Sequence, residues 1–433
     1  MKNQPFQMVS LGLQHMLAMY AGAVIVPLIV GGALGFGPKD LTYLVSIDLL
    51  MCGVATILQA LGNRFFGIGL PVVLGCTFTA VGPMIAIGKQ YGISAIYGSI
   101  IVAGLFIVLF SGLFGKLVKL FPPVVTGSVV TVIGITLVPV AMNDMAGGLG
   151  SKDFGNPENL LLAFGVLLFI ILINRLFTGF IRAISILLGL IFGTIAAAFM
   201  GKVNVQAVAD ASWVHGVQPF YFGTPTFELT PIITMIIVAL VGIVEATGVY
   251  FALSDICGKK LDEKQVAKGY RAEGIAIILG GIFNSFPYTT YSQNVGLVQL
   301  SGVKSRNIIY ICGGLLIMLG FVPKIAAATT IIPPSVLGGA SLAMFGMVMA
   351  YGMKMLGKVD FAKQENLLIV ACSVGIGLGV TAVPTFFAKL PESIRILTDN
   401  GIVLGSLTAI ILNLLFHTTS NQSKANHDGK LAS

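Results

Sequence analysis

Phe286-Pro287-Tyr288-Thr289-Thr290-Tyr291-Ser292-Gln293-Asn294-Val295-Gly296-Leu297-Val298-Gln299-Leu300-Ser301-Gly302-Val303-Lys304-Ser305-Arg306 is the stretch that decides the fold. Apolar segments surround it, yet it is rich in hydroxyls and amides. The run from Tyr288 to Ser292 reads as a short extended piece, because its residues are β-prone or hydroxylated and Pro287 disfavours a helical Phe286. From Gln293 the pattern turns helical, and Gly302 with Lys304 and Arg306 marks its end. The reading is half a strand followed by half a helix, at a depth where lipid offers the backbone no hydrogen-bond partner. Such backbone is tolerated only where it is buried in protein or lines a cavity. Broken segments of this kind build substrate sites in secondary transporters, because a half-helix N-terminus aims N–H groups inward.

The rest of the chain supplies the matching surroundings. Hydrophobic residues make up 56% of it and charged residues 10%, with a mean hydropathy of +0.95. A soluble protein carries about 25% charge, so the composition predicts an all-α polytopic membrane protein. Its 433 residues leave little for a soluble domain. The apolar run after Lys2 has no small-residue cleavage site beside it and reads as a first span. The five cysteines, Cys52, Cys76, Cys257, Cys312 and Cys372, are scattered, show no metal spacing and are assigned to packing.

Fourteen segments are drawn, at residues 8–30, 43–61, 70–88, 93–114, 122–142, 160–174, 180–200, 231–253, 272–285, 286–300, 308–322, 333–356, 367–383 and 402–416. The third and tenth fall short of a continuous spanning helix, which needs about 20 apolar residues. With both termini cytoplasmic, Lys2, Arg64, Lys116, Lys119, Arg175, Arg182, Lys259, Lys260, Lys264, Lys268, Arg271, Lys304, Arg306, Lys354, Lys358, Lys363, Lys424 and Lys430 fall on one side. Lys39, Lys89, Lys152, Lys202, Lys324, Lys389 and Arg395 fall on the other. This bias sets the expected orientation and accounts for the net charge of +8 without a nucleic-acid partner.

The chain also repeats itself. Pro122-Pro123 opens the fifth segment and Pro333-Pro334 the twelfth, while Pro71 introduces the third and Pro287 the tenth. Aligning the last two prolines makes Thr77 the counterpart of Gln293. A shift of seven segments is odd, so the second half enters the membrane with opposite polarity. The expected architecture is a 7+7 inverted repeat, residues 1–230 and 231–433, with segments three and ten each a short strand plus a half-helix. Substrate sites of such proteins lie at the repeat interface near the midplane. Pro-Pro pairs also simply start helices; it is the agreement of two matches at one shift that points to a repeat.

Ionisable groups inside membrane segments cost about 2.5–3.5 kcal/mol each on insertion scales, so each needs a reason. Four stand out: His15, Asp48, Glu245 and Glu273. Glu245 lies mid-segment between Gly242 and Gly248, where a ligand or another backbone can come close; it is either a ligand acceptor or a carboxyl bonded to a neighbouring helix. Glu273 opens the ninth segment beside Arg271, which by pattern alone suggests an interfacial pair. His15 follows Gln14 and is either a proton-active group or a neutral tie between helices. Asp48 is open between a structural role and a second proton-active one.

Gln293-Asn294-Val295-Gly296, followed by Ser301-Gly302, resembles the signature of the nucleobase–ascorbate transporter family, and the likeness runs roughly from Met8 to Phe416. Within that family the chain is most similar to bacterial xanthine permeases. The resemblance implies that Glu245 binds substrate and that Glu273 is a coupling or site-shaping acid, although Asp is more usual there in purine carriers. It implies that Asn294, Gly296 and Ser301 shape the signature loop, and that the Gln14-His15 pair belongs to a family motif. Gln293 offers an acceptor and two donors that suit one edge of a purine dione, and Glu245 can take its N–H groups. Phe78, Thr77 and Tyr288 are candidates for the remaining walls. One departure is Val249, one turn after Glu245, where many family members carry a polar group.

The implied function is proton-coupled purine uptake by alternating access across the cytoplasmic membrane, most closely of xanthine, with uric acid the alternative and uracil further off. Segments one to four and eight to eleven would form a core, and five to seven and twelve to fourteen a gate, in a homodimer embedded in the lipid bilayer. No cofactor or metal is expected. An inorganic-anion carrier of the same plan would line its site with positive charge, and segments three and ten show no Lys or Arg within the membrane. An enzyme would need a nucleophile–base set, metal cluster or phosphate loop, and none is evident.

Overall fold

The computed structural model describes residues 5–117 and 121–431, so Lys2 and Lys119 lie outside the described residues. The chain runs α1 (Pro5–Ala33), α2 (Pro38–Leu61), strand β1 (Leu74–Cys76), a 3-10 turn (Phe78–Ala80), α3 (Val81–Tyr91), α4 (Ile93–Lys116), α5 (Pro123–Met145), α6 (Pro157–Leu176), α7 (Gly179–Ala183), α8 (Ser185–Phe199) and α9 (Gln206–Asp210). The second half runs α10 (Leu229–Cys257), α11 (Glu263–Ile282), β2 (Tyr288–Thr290), α12 (Ser292–Ser301), α13 (Arg306–Gly320), α14 (Pro323–Thr330), α15 (Pro334–Leu356), α16 (Gln364–Ala382), α17 (Glu392–Thr398) and α18 (Gly401–Leu431). Among the described residues, eight helices are long and apolar enough to cross a membrane, or nine if α13 and α14, bent by 79°, form one span. Outward-facing leucines such as Leu109, Leu161 and Leu168 are exposed, as a lipid-facing surface requires.

The two broken segments meet. β1 and β2 pair antiparallel, with Leu74 opposite Thr290, Gly75 opposite Thr289 and Cys76 opposite Tyr288. Thr77 N–H donates to the Pro287 carbonyl at 2.9 Å, and Tyr291 N–H to that of Val73 at 2.8 Å, extending the ladder at both ends. Both strands are fully buried. The polar backbone that lipid could not satisfy is therefore paired inside the protein. α12 ends where its sequence indicates, at Gly302, whose φ of 65° is the left-handed conformation glycine adopts without strain.

Packing follows the seven-segment shift. α2 packs on α13 and α4 on α11, pairs that the shift exchanges, while α5 packs on α15, a pair that it maps onto itself. The exchanged pairs share one device. A Cβ on Gly53 would lie 2.5 Å from the Gly313 carbonyl oxygen, and one on Gly104 would lie 2.8 Å from that of Gly274. Only hydrogen at these positions lets the backbones approach so closely. Gly104→Val is therefore expected to lower the thermal midpoint of the detergent-solubilised protein, because overpacking typically costs about 1–3 kcal/mol. Fluorescence-detected size-exclusion melting checks this, with Gly112→Val, at a position that faces open space, as the tolerated control.

Three boundaries differ from the sequence reading. α11 begins at Glu263, nine residues before the apolar run drawn for segment nine, because Asp262 and Gln265 form a reciprocal capping box that starts a helix in charged sequence. Segment seven is split into α7 and α8. The chain after segment eleven turns sharply into α14 at Pro323, the first-turn position that proline suits.

Candidate functional site

The ends of the strand pair, the 3-10 turn and the start of α12 converge on a small cavity. Thr77 and Phe78 approach it from β1, Thr290 and Gln293 from β2 and α12, Glu245 from α10 and Val348 from α15. Thr77 closes the strand by accepting the Thr79 N–H at 3.2 Å, which starts the 3-10 turn. Phe78 stands edge-on to Phe345 of α15, ring centroids 5.6 Å apart, and 6.3 Å from Tyr291. The cavity itself holds about 10 Å³, roughly one water-sized probe. A larger cavity, about 650 Å³, lies elsewhere beside Tyr43, His215 and Tyr221. The smaller one is the better candidate despite its size, because it collects the acid Glu245, the signature amide Gln293 and the start of the half-helix α12.

Glu245 is half-buried, and its carboxyl makes no hydrogen bond or ion pair with another described residue. Gly242 and Gly248 beside it serve packing: the Gly242 carbonyl accepts from Thr289 Oγ1 at 3.3 Å, and Gly248 faces Met355 of α15. Gln293 is half-buried too, and its Oε1 accepts from Ser292 Oγ at 3.3 Å. Its two amide N–H groups are thereby left for other acceptors. Thr290, which the sequence reading did not single out, is 1% exposed, and its Oγ1 has no partner among the described residues. Its side chain leaves β2 on the same face as that of Tyr288. No signal in the sequence separates it from Thr289.

Tyr288 does not line this cavity. Its ring is buried, and its hydroxyl donates to Asp48 Oδ1 at 2.9 Å, beside Ser285 Oγ at 3.1 Å from the same oxygen. Strand alternation explains this: Tyr288 and Thr289 leave β2 on opposite faces. Asp48 thus ties α2 to the start of β2. His15 also sits outside the cavity. Asn294 Nδ2 reaches the His15 carbonyl at 3.0 Å and the ring Nδ1 at 3.1 Å. The carbonyl requires a donor, so the amide N–H groups face His15 and its Nδ1 is the acceptor, tying α1 to α12. Glu273 is buried in α11 rather than interfacial, and its Oε1 accepts from the Tyr250 hydroxyl at 2.6 Å. Arg271, its expected partner, instead donates to the Phe65 carbonyl at 2.6 Å. Gly296 faces open space, Ser301 Oγ accepts the Val303 N–H at 3.3 Å at the end of α12, and Val249 is buried.

A Permease family model matches residues 6–386. The nucleobase transporter PlUacP of Paenibacillus larvae is 64% identical over 421 residues, 97% of each chain. The xanthine permease of Bacillus subtilis is 62% identical over 432 residues, 100% of this chain and 99% of its own. The uric acid permease PucK of Bacillus subtilis is 62% identical over 422 residues, 98% of each chain. Among solved structures, the transmembrane domain of the cyanobacterial bicarbonate transporter BicA superposes with a TM-score of 0.63 at 16% identity, covering 95% of this chain and 98% of that one. At that identity the likeness speaks for the fold alone. The chain belongs to the permease family of the xanthine and uric acid permeases, the nucleobase–ascorbate transporters, and is an integral membrane transporter of the cell membrane rather than an enzyme.

Proposed function

We propose that the protein takes up a purine nucleobase, xanthine in the first place, in symport with protons by alternating access. The observation that supports this most is the pairing of an unpartnered carboxyl, Glu245, with the free amide donors of Gln293 across one cavity. Such a set recognises a flat, neutral molecule with alternating N–H and C=O groups. No lysine or arginine lines the cavity among the described residues, which argues against an inorganic anion. Uric acid keeps its own support, since a uric acid permease is as similar to the chain as a xanthine permease.

The cavity is too small for a bicyclic ring; Val348 of α15 closes one side of it, and Phe345 of the same helix packs on Phe78. In this reading the core, segments one to four and eight to eleven, carries Glu245, Gln293, Thr77, Thr290 and Phe78. The gate, segments five to seven and twelve to fourteen, withdraws α15 to admit the purine. The first seven segments, residues 1–230, and the last seven, residues 231–433, form the two repeats. Both termini are cytoplasmic, and two copies pair in the bilayer. Asp48, His15 and Glu273 each hold a residue next to the site, so protonation of any of them alters what the substrate meets. Labelled xanthine accumulation in proteoliposomes holding the full chain is expected to follow an inward proton gradient and to collapse with a protonophore. Gradient-independent accumulation rejects the coupling. Competition by unlabelled uric acid, guanine, hypoxanthine and uracil ranks the substrates.

A further inference from the structure

We propose that Tyr250 and Gln59 are positioning residues that fix which oxygen of Glu273 carries its exchangeable proton; the transport consequence rests on the coupling role read for Glu273 above. Three side chains from three helices form one buried line: Gln59 of α2 and Tyr250 of α10 are 0% exposed and Glu273 of α11 is 2% exposed. The direction of every hydrogen bond in it follows from its fixed ends. Ile68 N–H donates to Gln59 Oε1 at 3.2 Å, so that end of the amide is the acceptor. Gln59 Nε2 faces the Gly269 carbonyl at 3.2 Å, so the other end is the donor. The two ends agree, which settles the amide without reference to Tyr250.

Gln59 Nε2 also donates to the Tyr250 hydroxyl. That hydroxyl has one proton, and it points to Glu273 Oε1 at 2.6 Å. Oε1 is therefore an acceptor in both protonation states of Glu273, and the exchangeable proton is confined to Oε2. Gly269 makes the line possible, because its missing Cβ would lie 2.9 Å from the Tyr250 ring. The neighbouring Tyr270 does not compete as a donor. Thr247 Oγ1 donates to the Ile243 carbonyl at 2.6 Å, so the Tyr270 hydroxyl, 2.5 Å from Thr247 Oγ1, spends its proton there.

Further titratable groups stand on the elements packed against α11. α10 contributes Glu245, and α11 itself Tyr270. α2 contributes Asp48 and Cys52, and β2 Tyr288; Tyr288 and Cys52 are bonded to Asp48 rather than to Glu273. α4, which packs along α11, has no titratable side chain between Tyr97 and Lys116. Tyr250 is thus the one neutral donor to Glu273 among the described residues, five positions along α10 from Glu245.

The test is pH-difference infrared spectroscopy of the full chain in liposomes, together with the pH profile of labelled xanthine uptake. The Glu273 band is identified as the one that Glu273→Gln removes. Tyr250→Phe keeps the ring beside Gly269 and deletes only the donor. The expected result is a displaced Glu273 band and an uptake midpoint moved to higher pH by about one unit, since a carboxylate that loses a donor is less favoured in its charged form. Gln59→Met, which frees the hydroxyl without deleting it, is expected to move both in the same sense by less, and it carries the test if Tyr250→Phe does not fold. A Glu273 band unmoved in the folded variant overturns the proposal. If wild-type uptake ignores the proton gradient, the coupling reading falls, while the band still decides what Tyr250 does.

Discussion

Glu245→Gln is expected to insert into the membrane at wild-type abundance and to lose purine affinity by roughly ten- to hundred-fold. The carboxyl faces the cavity from α10 and has no hydrogen-bond or ion-pair partner among the described residues, so no internal bond is broken by replacing it. Volume is preserved, and only the chemistry offered to the ligand changes: one of two acceptor oxygens becomes an amide donor. A charge-assisted hydrogen bond is worth about 1.5–3 kcal/mol, which gives the stated loss. Titration of the purified variant with xanthine, alongside immunoblots of membranes, measures both halves of the expectation. Wild-type affinity would remove Glu245 from the site.

Gln293→Glu is expected to cost more, about a hundred-fold or beyond, and to change the order of substrates. Ser292 already donates to Gln293 Oε1, so the amide meets a ligand with its N–H groups. A carboxylate has none to offer when ionised. A purine carbonyl or ring nitrogen then faces an acceptor, and a buried acceptor left unpaired is strongly discriminated against. Binding that remains is expected to favour ligands with more N–H donors, whereas Gln293→Ala weakens all purines more evenly. Competition binding for xanthine, uric acid, guanine, hypoxanthine and uracil in both variants tests this. An unchanged ranking and affinity in Gln293→Glu would show that Gln293 does not touch the substrate.

Three buried titratable side chains are each tied to an element that lines the candidate cavity. His15 is bonded to Asn294, next to Gln293; Asp48 to Tyr288, at the start of β2; Glu273 to Tyr250, on the helix of Glu245. This arrangement also gives the buried acids their reason for being there, since an intramembrane carboxyl is costly without a partner.

The sequence by itself determined the breaks and the repeat. Pro71 and Pro287 exclude helix locally, Gly302 ends α12 through its left-handed backbone, and the paired prolines mark equivalent helix starts. These are properties of one residue and its neighbours, so they can be read from one strand of text. The glycine signal was legible as small residues but not as partners: that Gly53 meets Gly313 and Gly104 meets Gly274 follows only from the helix pairing. The same limit applied at the site. Glu245 and Gln293 were visible as polar groups in apolar segments, but the direction of a side chain depends on which neighbour fills each face. Tertiary packing turned Tyr288 to Asp48, left Thr290 Oγ1 without a partner among the described residues, and brought Gln59 to Tyr250 across 191 residues of chain and Tyr250 to Glu273 across 23. A charged start hid α11 from a hydropathy reading, although Asp262 and Gln265 had the spacing of a capping box. Local chemistry fixes where the chain bends and breaks; the partner of each buried polar group is chosen by the three-dimensional meeting of elements far apart in sequence.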